Sequence, residues 1–307
     1  MVLCEIFAGR SLPEIWFGLY AMAFFFVNGL STVYFYFLYW NPTYKTWVKK
    51  SNPAYPKAAK IREEIFQMNK GLVMAALPPA LSLWLSHTHF SYGYCGFSAT
   101  SFKEELIHQL WYLIFLDFIE FFYHYGTHVN HWLWKLHKYH HTFYNPTPFA
   151  VIADEVIDQL VRALPMAIFP LFVPLNLDIM FFQMALVIYG YGTYLHCGHE
   201  MNFPDAHNSM YVLNTSYQHF CHHSISVYRK PFHCGFVLNI FDKLFGSVYK
   251  GECFCCKCCE MKGERSIEKW KALKKPNYKK MLSWPFWQKG LAIEWNSFLT
   301  GNFFHIF

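Results

Sequence analysis

The chain has 307 residues, 54% of them hydrophobic and 21% aromatic, with only 15% charged against about 25% in ordinary soluble domains. Its net charge of +6 is carried by grouped lysines beside apolar runs, which implies membrane topology and contact with anionic lipid rather than a nucleic-acid partner.

Ile15 to Tyr44 and Gly71 to Phe102 contain no Asp, Glu, Lys or Arg, and each exceeds the roughly 20 apolar residues that cross a bilayer. Both are expected to be spanning helices. The first reads as an anchor, because the run is too long for a cleaved signal and Glu5 and Arg10 stand where a compact basic region should be. Lys45, Lys49, Lys50, Lys57, Lys60 and Arg62 follow it, which places that loop in the cytosol. A third span is expected from Leu106 to about Tyr123, with Asp117 and Glu120 near its far end. Residues 163–195 are apolar but interrupted by Pro165, Pro170, Pro174 and Asp178, so two short embedded helices or a hairpin fit better than one straight span. Counting spans puts His124 onward, and everything from His196, on the cytosolic side. The expected fold is all-α: a multi-pass membrane helical protein with a cytosolic, histidine-rich di-metal cap. Residues 1–105 form anchor spans and a lumenal loop, 106–249 the catalytic domain with its hairpin, and 250–307 a Cys-rich, basic cytosolic tail.

Within the cap the histidines come in spaced sets: His124 and His128; His131; His137, His140 and His141; His196 and His199; His219, His222 and His223. On a helix, residues three and four apart share a face, so each set projects two or three imidazoles to one side. With 17 histidines in 307 residues, a given H-x-x-H-H triple arises by chance roughly 0.05 times per chain; here there are two. Eight or more converging imidazoles exceed what one tetrahedral zinc takes, so two metals are implied, and redox iron suits a site that oxidises apolar molecules at a membrane. The lone His87, His89, His108 and His305 read as interfacial or packing residues.

The ten cysteines do not form a disulfide scaffold. Five crowd into Cys253, Cys255, Cys256, Cys258 and Cys259 on the reducing side. S-acylation near the membrane is the first reading and a metal site the second, since no other Cys/His group follows at structural zinc spacing. The sequon Asn214-Thr-Ser216 is idle if cytosolic.

The pattern H-x3-H (His124, His128), H-x2-H-H (His137, His140, His141) and a late H-x2-H-H (His219, His222, His223) resembles the fatty acid hydroxylase/sterol desaturase superfamily of membrane di-iron oxidases, over roughly Asp117 to Tyr249. "HKYHHTFYNPTPFA", "LNTSYQHFCHH" and "FDKLFGS" look most like its sterol C-5 desaturases. The resemblance implies an oxygen-dependent lipid oxidase of the endoplasmic reticulum membrane with two Fe ions. It implies as ligands His124, His128, His137, His140, His141, His219, His222 and His223, with His196, His199 and His233 next. Asp117 and Glu120, seven and four residues before His124, are placed to accept a proton from a ligating imidazole. Electrons would come from NAD(P)H through a reductase and cytochrome b5, since the chain shows no dinucleotide fingerprint and no haem attachment motif.

Three departures from the family are visible. Tyr125 replaces an Arg, the run after Pro-Thr-Pro-Phe-Ala reads "VIADEV" with Glu155 where a histidine is usual, and "YLHCGHE" adds His199. Glu155, His131 or His199 would then supply the missing ligand. Other lipids stay open: sterol 4-methyl oxidation, fatty acyl or sphingolipid hydroxylation, and ether-lipid cleavage. So does a non-enzymatic metal transporter or inactive paralogue.

Overall fold

The computed structural model describes residues 3–88, 90–96, 101–202 and 212–300. It is built almost wholly from helices. Helix α1, Leu12–Phe35, opens with Pro13 in its first turn and a Ser11/Glu14 capping box, which satisfies donors the helix leaves orphaned. It continues through a wider turn to Trp40 and exposes Phe17, Phe25 and Phe37, a surface suited to lipid.

The apolar stretch after it departs from the expected single span. Helix α2, Ala58–Ala75, begins thirteen residues earlier than Gly71, and the chain breaks at Ala76 before α3, Leu77–Leu85. Pro78 and Pro79 sit in the first turn of α3, where their missing N–H groups cost nothing, whereas inside one long helix each would remove a bond. The expected span to Phe102 thus ends at Leu85, followed by strand β1, Gly93–Tyr94, which pairs in parallel with β2, Leu175–Asn176.

Helix α4, Phe102–Val129, starts on a Ser101/Glu104 capping box and contains the expected Leu106–Tyr123 segment. It runs beyond it, so His124 and His128 lie in the last turns of the long helix itself. Two helices, Leu12–Trp40 and Phe102–Val129, are long and apolar enough to cross a bilayer. Asn130 then caps α5, His131–His137, accepting the N–H groups of Trp132 and Leu133.

Helix α6, Val156–Ile168, and helix α7, Leu177–Gln183, which continues through wider turns to Leu195, enclose the proline-rich turn. Asp158 at the start of this stretch and His196 at its end both lie against the histidines, so the chain leaves the site and returns to it. Helix α8, Ser216–Ile225, has a Thr215/Gln218 capping box. The short α9, Ile240–Leu244, and α10, Cys256–Met261, precede the final α11, Trp284–Leu299.

One loop fixes the rest. Asn145 to Pro148 is clamped by side chains from the N-terminal part. The Lys50 ammonium donates to Asn145 Oδ1 at 3.0 Å, the Ser31 hydroxyl donates to the Pro148 carbonyl at 3.0 Å, and the Glu64 carboxylate accepts from the Thr147 N–H and hydroxyl. Tyr39 Oη lies 2.9 Å from the Cys197 carbonyl and 3.3 Å from that of Pro146. Gly198 is at φ +66°, and a Cβ there would stand 2.5 Å from Tyr39 Oη, so glycine is required twice over. The Pro-Thr-Pro motif is therefore the bolt that holds the second histidine set to α1 and α2.

Two further features were not anticipated or now have a cause. Cys4 and Cys95 form a disulfide, tying the N-terminal segment to the loop after α3. Asn214 is fully buried and its amide donates to the Gly235 carbonyl, so the sequon is closed to glycosylation in the folded chain. His89 and His305 lie outside the described residues.

Candidate metal centre

The histidines converge into two groups. His124, His128, His137, His141 and His222 bring one ring nitrogen each to within 4.8 Å of one another, and His140, His196, His219 and His223 do the same. Each H-x2-H-H set is shared between the groups. His137 and His141 face one way and His140 the other; His219 and His223 join His140, while His222 crosses to the first group.

The outer ring nitrogens are anchored by the protein. His124 Nδ1 lies 2.9 Å from the Cys234 carbonyl, His128 Nδ1 3.2 Å from that of Val227, and His222 Nδ1 2.7 Å from that of Phe232. His196 Nδ1 lies 2.8 Å from the Gly192 carbonyl. A strap from Val227 to Cys234 thus orients three imidazoles with three backbone oxygens. Asp242 holds that strap, accepting the N–H groups of Cys234 and Gly235 and the Ser247 hydroxyl, which accounts for the Asp of "FDKLFGS".

A carbonyl that accepts at Nδ1 puts the proton there and turns a bare Nε2 inward. The Nε2 atoms of His124 and His137 stand 3.1 Å apart, those of His141 and His137 3.2 Å, His219 and His196 2.8 Å, and His223 and His219 3.2 Å. Two nitrogens bound to one metal at about 2.1 Å are about 3.0–3.4 Å apart, so the spacing suits a shared ion. His128 Nε2 and His222 Nε2 are buried with no hydrogen-bond partner among the described residues, a costly state unless something binds them. Burial holds His137, His140, His141, His219, His222 and His223 well below the ordinary imidazole range, so the rings are neutral, as metal ligands must be. The donor set fits two first-row metal ions, one offered five imidazoles and one four.

The carboxylates beside the histidines are not those expected. Asp117 accepts the backbone N–H groups of Val237 and Leu238 at 2.8 and 3.0 Å, and Glu120 pairs with Arg162. Both share a face of α4 with His124 but lie one and two turns below it, where Val237, Leu238 and Arg162 meet them first. Instead Asp158 Oδ2 lies 2.9 Å from His137 Nδ1, and Asp154 Oδ1 lies 3.2 Å from His140 Nδ1. Burial raises both carboxyls above the usual range, and the Arg162 guanidinium beside them opposes it. Asp154 lies within "VIADEV", one residue before Glu155, and Asp158 follows two residues after that segment.

Other candidates stand apart. His199 packs edge-on to Tyr39 with Nδ1 toward the Cys197 carbonyl at 3.0 Å and joins neither group. His131 is exposed against Trp132 and Tyr228. His233, at φ +51°, accepts the Tyr249 N–H. His196 belongs to the four-histidine group.

The helices α4, α6 and α7 enclose apolar cavities that share Leu116, Glu120, Ile188 and Phe236 as common walls, and Arg162 in one of them faces the Asp158 that meets His137. A further one, between α1, α3 and α7, meets them at Met166, Met184 and Tyr189. Together they form an apolar space that a long, lipid-dissolved molecule could occupy.

The protein is a membrane oxidoreductase whose histidine-bearing region is similar to the fatty acid hydroxylase family and to sterol desaturases. The family model described as fatty acid hydroxylase matches residues 109–247, the stretch that holds every histidine of both groups. The chain is similar to the lathosterol oxidase of Mus musculus, 25% identical over 232 residues that cover 75% of this chain and 71% of the relative. It is also similar to a Delta(7)-sterol 5(6)-desaturase of Schizosaccharomyces pombe, 25% identical over 236 residues covering 74% and 73%. A Delta(7)-sterol 5(6)-desaturase of Leptosphaeria maculans is 30% identical over 141 residues, 45% of this chain and 36% of the relative. No solved structure matches the chain.

Proposed function

We propose that the chain is a sterol C-5 desaturase that uses two iron ions and O2 to introduce a double bond into the sterol nucleus. The observation that carries the reading is the pair of buried histidine groups, linked through Asp158 and Arg162 to the wall of an apolar cavity, together with relatives named for that reaction. One ion would be held by His124, His128, His137, His141 and His222, the other by His140, His196, His219 and His223. With iron bound, the centre supplies oxygen-dependent removal of hydrogen from an unactivated C–H bond.

The chain's own residues do the rest. The strap carbonyls fix the Nδ1 protons of three ligands, and Asp158 and Asp154 do the same for His137 and His140, so the rings neither rotate nor change tautomer. Leu116, Met184, Ile188 and Phe236 exclude water and align the flat ring system, which sets the carbon presented to the centre. The Glu120–Arg162 pair is the polar feature of that wall and neutralises itself in place. Electrons would come from cytochrome b5 and its NAD(P)H-dependent reductase at the cytosolic face of the endoplasmic reticulum.

The test is expression in a yeast strain lacking its own C-5 desaturase, beside a His140→Ala variant. Return of Δ5,7-sterols with the intact chain alone is expected. Their absence, with the protein abundant in the membrane, would sink the C-5 assignment and favour hydroxylation of another lipid, toward which the altered "VIADEV" segment points.

A further inference from the structure

The cysteine-rich tail carries a separate site. Of the five crowded cysteines, Cys253, Cys255 and Cys258 bring their sulfurs within 4.8 Å of one another. Cys256 and Cys259 face elsewhere: the Cys256 N–H donates to the Glu200 carboxylate at 3.0 Å, and the Cys259 thiol donates to the Phe254 carbonyl at 3.3 Å. We propose that Cys253, Cys255 and Cys258 bind one thiophilic metal ion, zinc by preference, independent of the histidine groups.

Three thiolates around a tetrahedral ion at about 2.3 Å stand about 3.8 Å apart, which the convergence already approaches. Cys255 and Cys258 have the two-residue spacing that structural zinc sites use. Hydrogen-bond donors surround the sulfurs. The Cys258 N–H points at Cys255 Sγ at 3.5 Å. Tyr217 Oη accepts the Phe254 N–H at 3.3 Å and stands 3.5 Å from Cys253 Sγ, which leaves its proton available to that sulfur. Donors aimed at sulfur are what a metal-bound thiolate needs. Binding would release the thiol protons to solvent.

Burial argues against the acylation that the sequence first suggests. Cys255 has no exposed surface, and Cys256 and Cys259 are buried as well, so only Cys253 and Cys258 are left for an acyl-transferring enzyme to reach. Cys221, on α8, packs in the same apolar cluster with Tyr217 and Cys255, so the three cysteines lie against α8, and a solvent molecule would complete four-coordination. Because α8 also carries His219, His222 and His223, the ion would pin the tail to the back of the helix that supplies three ligands of the other centre.

The test uses the full chain purified in detergent, loaded with Co(II) and examined for thiolate-to-cobalt absorption, with total metal counted by plasma mass spectrometry. Thiolate-cobalt absorption is expected in the wild type and in His222→Ala, and it should vanish in Cys253→Ser and in Cys258→Ser with loss of one metal per chain. Both cysteines are partly exposed, so these variants spare the core. Cys256→Ser and Cys259→Ser should keep the signal. Absence of thiolate-cobalt absorption in the wild type overturns the proposal, as does intact-mass detection of thioester-linked acyl chains on Cys253 or Cys258.

Discussion

Asp158 Oδ2 lies 2.9 Å from His137 Nδ1, with both side chains fully buried. The same carboxylate accepts the Tyr123 hydroxyl at 2.6 Å and faces Arg162 Nε at 3.6 Å, so it is fixed from three sides. Asp158→Asn keeps the shape but removes the charge that holds the His137 proton in place. Iron affinity or turnover should fall about 10–100-fold with little change in folded yield. Iron content and sterol turnover, measured on one preparation, check this; unchanged values would show that the contact orients nothing.

Removing a ligand should not cost the two groups equally. The four-histidine group has no imidazole to spare, whereas the five-histidine group retains four after one loss. If the centre holds the two irons proposed, His219→Ala is expected to lose one of them, and His124→Ala to retain both with weaker affinity. Iron counted per chain across a chelator titration distinguishes the two, and equal loss in both variants would contradict the division.

Gly198→Ala combines a positive φ with a Cβ 2.5 Å from Tyr39 Oη and 3.0 Å from the Pro146 carbonyl. Crowding of this kind costs about 1–3 kcal/mol. Thermal unfolding in detergent should show a lowered midpoint, and adding Tyr39→Phe should restore only part of it, because the backbone strain and the Pro146 contact remain.

Lys50 is fully buried, and desolvation, aided by the Arg265 charge, lowers its pKa from the ordinary 10.5 to about 7. Between these values the unfolded chain holds a proton that the folded chain has lost, so stability rises with pH across that window. Lys50→Met should flatten this rise in a series of denaturation curves taken from pH 7 to above 10. A slope that persists in the variant would assign it to another group.

The histidine sets were legible because their spacing is local: three- and four-residue steps put His219, His222 and His223 on one helix whatever surrounds it. Their division between two ions was not, since His222 and His140 cross over only once α5 and α8 meet in space. Asp154 and Asp158 were hidden for the same reason. Nothing in residues 154–158 marks which of Asp154, Glu155 and Asp158 turns toward the histidines, and the acids nearest His124 in sequence, Asp117 and Glu120, meet Val237, Leu238 and Arg162. The break at Ala76 was written in Pro78 and Pro79, but a hydropathy run passes over prolines. The Cys4–Cys95 pairing joins positions 91 residues apart that no periodicity connects.

The crossed sharing of the two H-x2-H-H sets also governs when the enzyme can be made. Neither group is complete until α8 has left the ribosome: the first waits for His222, the second for His223. The strap that fixes three of the rings follows later still, at Val227 to Cys234. On the proposed reading the second ion, which needs His219 and His223, could be bound only late in biosynthesis. A chain stalled before α8 would hold four imidazoles of the first group, His124, His128, His137 and His141, but only His140 and His196 of the second.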